Sequence, residues 1–141
     1  MTELPVRRAA GVVLFHRRAG ELRFLLLRNA LHRTWGVPKG HAEPGEEPLQ
    51  TARRETEEET GVTAFRLATG FREEIAYEVR PPEGRARKVV TYFLGEVESD
   101  EVRRSSEHDD AAWVPLAEAR ARLVHPDLVR VLERAAAAAG A

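Results

Sequence analysis

Glu55, Glu58 and Glu59 follow one another at spacings of one to four residues in a stretch with helical patterning. At about 100° per residue these three carboxylates fall within one arc of roughly 100° and share a face, with Glu57 on the far side. Like charges so placed cost roughly 0.2–0.5 kcal/mol per pair in water, and more as the local dielectric falls. Arg54, one turn before Glu58, offsets part of that charge. Three carboxylates still exceed one guanidinium, so a divalent cation is the natural counterion. Oxygen donors in a chain with no cysteine suit a hard ion, Mg²⁺ with Mn²⁺ as substitute, better than zinc. Such an ion bridges phosphate oxygens and lowers the pKa of a coordinated water, which is the chemistry of phosphoanhydride hydrolysis. A glutamate-rich helix alone is more often a solvated face, so the surrounding chain has to decide.

The elements that must position this helix can be read from apolar patterning and turn residues. Ala9 to Arg17 and Glu21 to Arg28 are apolar runs joined by Arg18-Ala19-Gly20, and they predict paired strands. Asn29 to Glu47 holds Gly36, Pro38, Gly40, Pro44 and Gly45, too many breakers for a regular element, and predicts a loop. Pro48 opens a helix that runs to Thr60 with Leu49, Ala52 and Thr56 on its packed face, and Gly61 ends it. Arg66 to Val79 and Arg87 to Glu98 read as the strands of a long hairpin turned by Arg80-Pro81-Pro82-Glu83-Gly84. Ala111 to Pro115 predicts a last short strand. The remainder is helical, with Leu128, Val131, Leu132 and Ala135 on one face. Interleaved strands and helices without repeats point to an α+β fold in which helices cover both faces of a sheet.

From Gly40 to Val62 the chain reads GHAEPGEEPLQTARRETEEETGV. This resembles the Nudix signature at Gly40, Glu46, Arg54, Glu55, Glu58, Glu59, Gly61 and Val62, with Thr56 where a larger aliphatic residue is usual. Seven identities at fixed spacing have a chance of roughly 10⁻⁷ per start position at ordinary residue frequencies. The resemblance implies the Nudix fold, a mixed β-sheet sandwiched between α-helices. It also implies that the Gly40 carbonyl and the Glu55, Glu58 and Glu59 carboxylates hold the metals, with Glu46 and Arg54 orienting them. Glu55 or Glu107 would activate the water, Glu107 being a further metal ligand, and the choice of base stays open.

Around the signature the chain reads WGVPKGH, GFREEIAY, RKVVTYFLGEV and SSEHDDAAW, which look like asymmetrical diadenosine tetraphosphate hydrolases. By that resemblance Lys39, His41, Tyr77, Lys88, Tyr92, Glu107 and His108 line the polyphosphate and adenine sites. The charge of a four-phosphate chain needs cations beyond the metals, and Lys39 and Lys88 are the only lysines among 22 basic residues. Tyr77 and Tyr92 offer faces for adenine stacking. Trp35 and Trp113 are expected in the core.

The 141 residues fit one domain, 1–141, and 43% apolar content excludes a disordered chain. A net charge of −1 gives no bulk argument for a nucleic-acid or membrane partner, and the seven-residue run Ala9 to Phe15 is too short to span a bilayer. Lack of cysteine suits a reducing cytoplasm. A cytoplasmic monomer acting on a small nucleotide is expected. Other Nudix substrates (a damaged nucleoside triphosphate, ADP-ribose, a capped RNA end) are the alternatives, and a silent polyphosphate sensor is the reading from a different class.

Overall fold

The computed structural model describes residues 3–80 and 84–140. Its elements are β1 (Val6–Arg18), β2 (Glu21–Asn29), β3 (Trp35–Gly36), β4 (Lys39–His41), α1 (Pro48–Thr60), β5 (Arg66–Leu67), β6 (Glu73–Val79), β7 (Ala86–Glu96), β8 (His108–Val114), α2 (Leu116–Arg122) and α3 (Pro126–Ala138). The strands join in one mixed sheet: β1 runs parallel to β7, and every other pairing is antiparallel. Among the described residues no helix is long and apolar enough to cross a membrane.

β1 is the middle of the sheet, and its unbroken apolar run reflects burial on both faces. Ala9, Val13 and Phe15 join Phe24, Leu26 and the α2–α3 residues Ala119, Leu128, Val131 and Leu132 in one core. Ala10, Val12 and Leu14 join Leu25, Leu27 and the α1 residue Ala52 in the other. The alternation of period two thus divides one strand between two helix layers, as expected of a sheet covered on both faces.

Several boundaries differ from expectation. The 29–47 loop contains β3 and β4, strands of two and three residues that are too short to carry a periodic signal. β4 is held by pairing: Gly11 lies opposite Lys39, and an added Cβ on Gly11 would stand 2.0 Å from the Pro38 carbonyl oxygen. The single strand expected over 66–79 is two, β5 and β6. The chain turns through Ala68–Gly70 and then returns to the same edge of β7. Pro81, Pro82 and Glu83 of the expected hairpin turn lie outside the described residues. The expected helical end is two helices, α2 and α3, and β8 begins at His108, three residues before the expected strand. Trp35 and Trp113 are half-buried at the core margins. The Arg122 and Arg28 guanidinium carbons lie 4.6 and 5.9 Å from the Trp35 ring centre.

Candidate active site

Helix α1 starts as read, at Pro48, with the Gln50 side chain accepting a 2.8 Å hydrogen bond from the Glu47 N–H. It ends at Gly61, whose N–H donates to the Glu57 carbonyl at 2.8 Å. Thr51, Ala52, Thr56, Glu59 and Thr60 are its buried residues, so one of the three acidic positions faces inward while Glu58 stays exposed. The Thr56 hydroxyl is buried without a hydrogen-bond partner among the described residues.

Arg54 is the hub of the acidic face. Its Nε and Nη2 donate to the two Glu46 oxygens at 2.7 and 2.9 Å, a forked pair. Nη1 donates to Glu55 at 3.0 Å and Glu58 at 3.3 Å, and Nη2 also reaches the His41 carbonyl at 2.9 Å. Glu46 further accepts from the Thr51 hydroxyl at 2.7 Å and the Glu43 N–H at 2.9 Å. The Arg54 contact, then the Glu43 amide and Thr51 hydroxyl, hold the Glu46 carboxyl down at about 2. One guanidinium therefore ties the loop, β4 and two of the three helix carboxylates together.

The third carboxylate is electrostatically different. Glu59 is 7% exposed, and its Oε1 accepts the Lys39 N–H at 3.2 Å. Burial pushes its carboxyl up to about 8, and the Glu55 and Glu107 charges push the same way against the Lys39 amide and ammonium. Glu55 is also raised, by burial first and by Glu58, against the pull of Arg54. Gly40 lies directly on Glu55, where an added Cβ would stand 1.9 Å from Oε2. The carboxylate occupies the side-chain space at Gly40, so a larger residue there would displace Glu55 from its present position.

These couplings bring Lys39, Gly40, Arg54, Glu55, Glu58, Glu59, Glu107 and His108 into one region. His108 Nδ1 lies 3.2 Å from the Ser105 hydroxyl. Burial lowers the His108 pKa first, Glu107 raises it and Lys39 lowers it again. The donor set is all oxygen, and burial disfavours the charged forms of Glu55 and Glu59, which fits a hard divalent cation as the missing positive charge. Among the described residues no three His, Asp or Glu side chains already stand in a metal-holding arrangement. Arg54 engages Glu55 and Glu58 instead.

Sheet register places the remaining residues. Paired residues share a face, so Lys39 lies with Gly11 and Tyr92, His41 with Ala9 and Val90, and Tyr77 with Lys88 and Arg7. All are on the face opposite α1, the face whose core α2 and α3 complete. Tyr77 is 40% exposed. Tyr92 is not available as expected: at 1% exposure it belongs to the α3-side core with Val90 and Leu94, and its ring cannot stack on a ligand without opening that core. The sequence does not mark which positions on that face the α3-side core covers. Sequence reading also missed Arg7, which the parallel register sets beside Lys88, because no local motif marks it.

A NUDIX domain model matches residues 5–135. The asymmetrical bis(5'-nucleosyl)-tetraphosphatase of Sus scrofa is 41% identical over 138 residues, spanning 89% of this chain and 90% of that protein. The Caenorhabditis elegans enzyme of the same name is 37% identical over 118 residues, spanning 81% and 83%. Among solved structures, a C. elegans Ap4A hydrolase binary complex aligns with a TM-score of 0.88 at 31% identity, over 95% of this chain and 98% of that one.

Proposed function

The chain belongs to the Nudix family and is a hydrolase of pyrophosphate bonds; from that premise we propose that it cleaves dinucleoside polyphosphates such as diadenosine tetraphosphate, asymmetrically, to ATP and AMP. The observation that carries the reading is β4. Gly40 backs onto Glu55, while its neighbour Lys39 gives its N–H to Glu59 and shares the opposite sheet face with His41, Tyr77 and Lys88. One three-residue strand thus joins an acidic helix to a cationic and aromatic face.

In this reading the Gly40 carbonyl, Glu55, Glu58, Glu59 and Glu107 would hold Mg²⁺, with Mn²⁺ as substitute, which when bound would supply charge to the phosphate oxygens and acidify the attacking water. Holding it requires Glu55 and Glu58 to turn from Arg54, which keeps Glu46 as its forked partner. Glu55 or Glu107 takes the proton from the water; burial raises the Glu55 carboxyl, which makes its carboxylate the stronger base. Lys39, His41 and Lys88 receive phosphates, and Tyr77 stacks on one adenine. Lys39 on β4 and Tyr77 on β6 stand roughly 20 Å apart by strand spacing, a span suited to an extended polyphosphate. A base held at Tyr77 sets a fixed distance to the acidic helix, so attack falls off-centre. The protein would act as one domain and as a monomer in the cytoplasm, without a nucleic-acid partner.

Incubation with Mg²⁺ and a panel of dinucleoside polyphosphates, sugar nucleotides and nucleoside triphosphates tests this. Chromatography should show ATP and AMP from diadenosine tetraphosphate, and ¹⁸O from labelled water in one of the two products only. Two ADP molecules as sole product, or faster cleavage of ADP-ribose or a damaged triphosphate, would replace the substrate and leave the pyrophosphate chemistry standing.

A further inference from the structure

Beyond the end of α1 lies an open groove of about 490 Å³ lined by Glu57, Glu58, Gly61, Thr63, Arg103 and Arg104. It shares Glu58 with the acidic face. The chain between β7 and β8 forms its far wall and is pinned to the helix end: Arg103 N–H donates to the Thr60 carbonyl at 2.8 Å, and Ser105 N–H to the Glu59 carbonyl at 3.3 Å. Val102 packs into the α1-side core just before the two arginines. Two residues after Ser105 the same segment reaches Glu107, whose charge is felt by Glu59. The pair of guanidiniums is therefore held at a set distance from the carboxylates.

Arg103 and Arg104 are both exposed, and neither makes an ion pair with a described carboxylate, whereas Arg54, Arg66, Arg85 and Arg120 all do. Two side chains of one sign beside a concave surface are a receptor for anions. Glu57 opposes them in the same groove, and Glu58 would be neutralised by the metal under the proposed function, which leaves the groove cationic. An alternative role exists for Arg103, whose Nε lies 3.5 Å from where a Cβ on Gly61 would stand, beside the negative end of the helix dipole. Arg104 shows no such contact with the helix end.

We propose that Arg103 and Arg104 hold the phosphates of the departing nucleotide, the half of a dinucleoside polyphosphate that extends past the acidic helix away from Tyr77, and so set the preference for long phosphate chains. This rests on the proposed substrate class. The departing half is then ATP, whose three phosphates run along the two arginines, while Lys39 and Lys88 serve the single phosphate on the adenine-clamping side and the anhydride that is cleaved.

The test compares the wild type with Arg104→Gln and with the Arg103→Gln, Arg104→Gln double variant. The substrates are diadenosine tetraphosphate and diadenosine diphosphate, which has no phosphate beyond the cleaved anhydride. The ratio of kcat/KM, tetraphosphate over diphosphate, should fall about tenfold in the double variant and about threefold in Arg104→Gln, mainly through KM. Inorganic tripolyphosphate should inhibit the double variant about tenfold more weakly than the wild type. If the wild type prefers the tetraphosphate and both variants keep its ratio, or if both substrates lose equally, the arginines are not the leaving-side site. A wild type that cleaves no dinucleoside polyphosphate removes the substrate reading, and this inference with it. Melting temperatures separate the capping role of Arg103, since a helix-end contact alone would lower stability without moving the ratio.

Discussion

Helix α1 and the β6–β7 hairpin both carry residues assigned to the site, yet they present them by opposite means. On α1 the geometry is local. Residues one to four positions apart share a face whatever the helix packs against, and one arginine can gather Glu46, Glu55 and Glu58. On the hairpin the geometry is long-range. Tyr77 and Tyr92 share one sheet face, and which of them meets solvent depends on how far the α3-side core extends over it, while Lys88 meets Tyr77 only through cross-strand register. Chemistry that needs tight clustering sits on the helix, and recognition of an extended ligand sits on the sheet.

The sharpest way to break this contrast is Glu59→Gln. It should lower turnover by at least about two orders of magnitude with the fold retained, because it removes a charged group that nothing on the hairpin can replace. The same variant tests the electrostatics without metal. A carboxyl raised to about 8 in the folded state keeps its proton where the unfolded chain, with an ordinary carboxyl pKa of about 4.3, has lost it. Stability of the metal-free wild type should therefore fall as pH rises through the window from about 4.3 to 8, with Glu55 and Glu107 as the facing charges and Lys39 opposing them. In EDTA, melting curves of Glu59→Gln should show a markedly smaller decline, the remainder belonging to the raised Glu55. Near wild-type turnover, or an unchanged pH slope, would show that the cluster is not the reacting centre.

The second test sets Tyr77 against Tyr92, two residues on one sheet face with different burial. Tyr77→Ala should raise KM for diadenosine tetraphosphate about tenfold, the scale of one lost stacking contact, and leave the melting temperature nearly unchanged. Tyr92→Ala should cost about 3–5 kcal/mol of stability by emptying the α3-side core. Kinetics and thermal melts of the two variants check this. If Tyr77→Ala destabilises while Tyr92→Ala only weakens binding, the burial-based division of the two tyrosines is wrong.

The same contrast explains what could be read without coordinates. The α1 limits and the Arg54–Glu58 spacing follow from local pattern, and the structure has both, whereas the inward turn of Glu59 and the Arg54–Glu46 fork depend on tertiary contacts. The double burial of β1 also follows from local pattern, through its unbroken apolar run. β3 and β4 were illegible because two or three residues hold no period, even though β4 positions Lys39 and Gly40. The break between β5 and β6 was hidden because both pieces pair with β7 and the turn at Gly70 is one residue in an extended stretch. Arg7, Arg103 and Arg104 reach the site through pairing and loop anchoring, which no nearby motif encodes.

The smallest expected effect concerns the one departure from the helix pattern, Thr56, and it asks whether the two faces of α1 are independent. Thr56 is fully buried between Ala52 and Thr60 on the packed face, and its hydroxyl has no partner among the described residues. A buried polar group left unbonded costs about 1–3 kcal/mol, whereas an apolar side chain of the same branched shape has nothing to satisfy. Thr56→Val should therefore stabilise the protein by about 1 kcal/mol, a rise of about 3–5 °C in Tm for a chain of this length. Valine keeps the volume and the β-branch, so neither packing nor helix propensity should offset the gain. Glu55 and Glu59 flank this position in space on the next faces of the helix, yet neither carboxylate bonds to the Thr56 hydroxyl. Turnover should accordingly stay within about twofold of wild type. A Tm that falls would mean that the hydroxyl is satisfied in solution, and a turnover that drops while Tm rises would show that the acidic face depends on the packing beneath it.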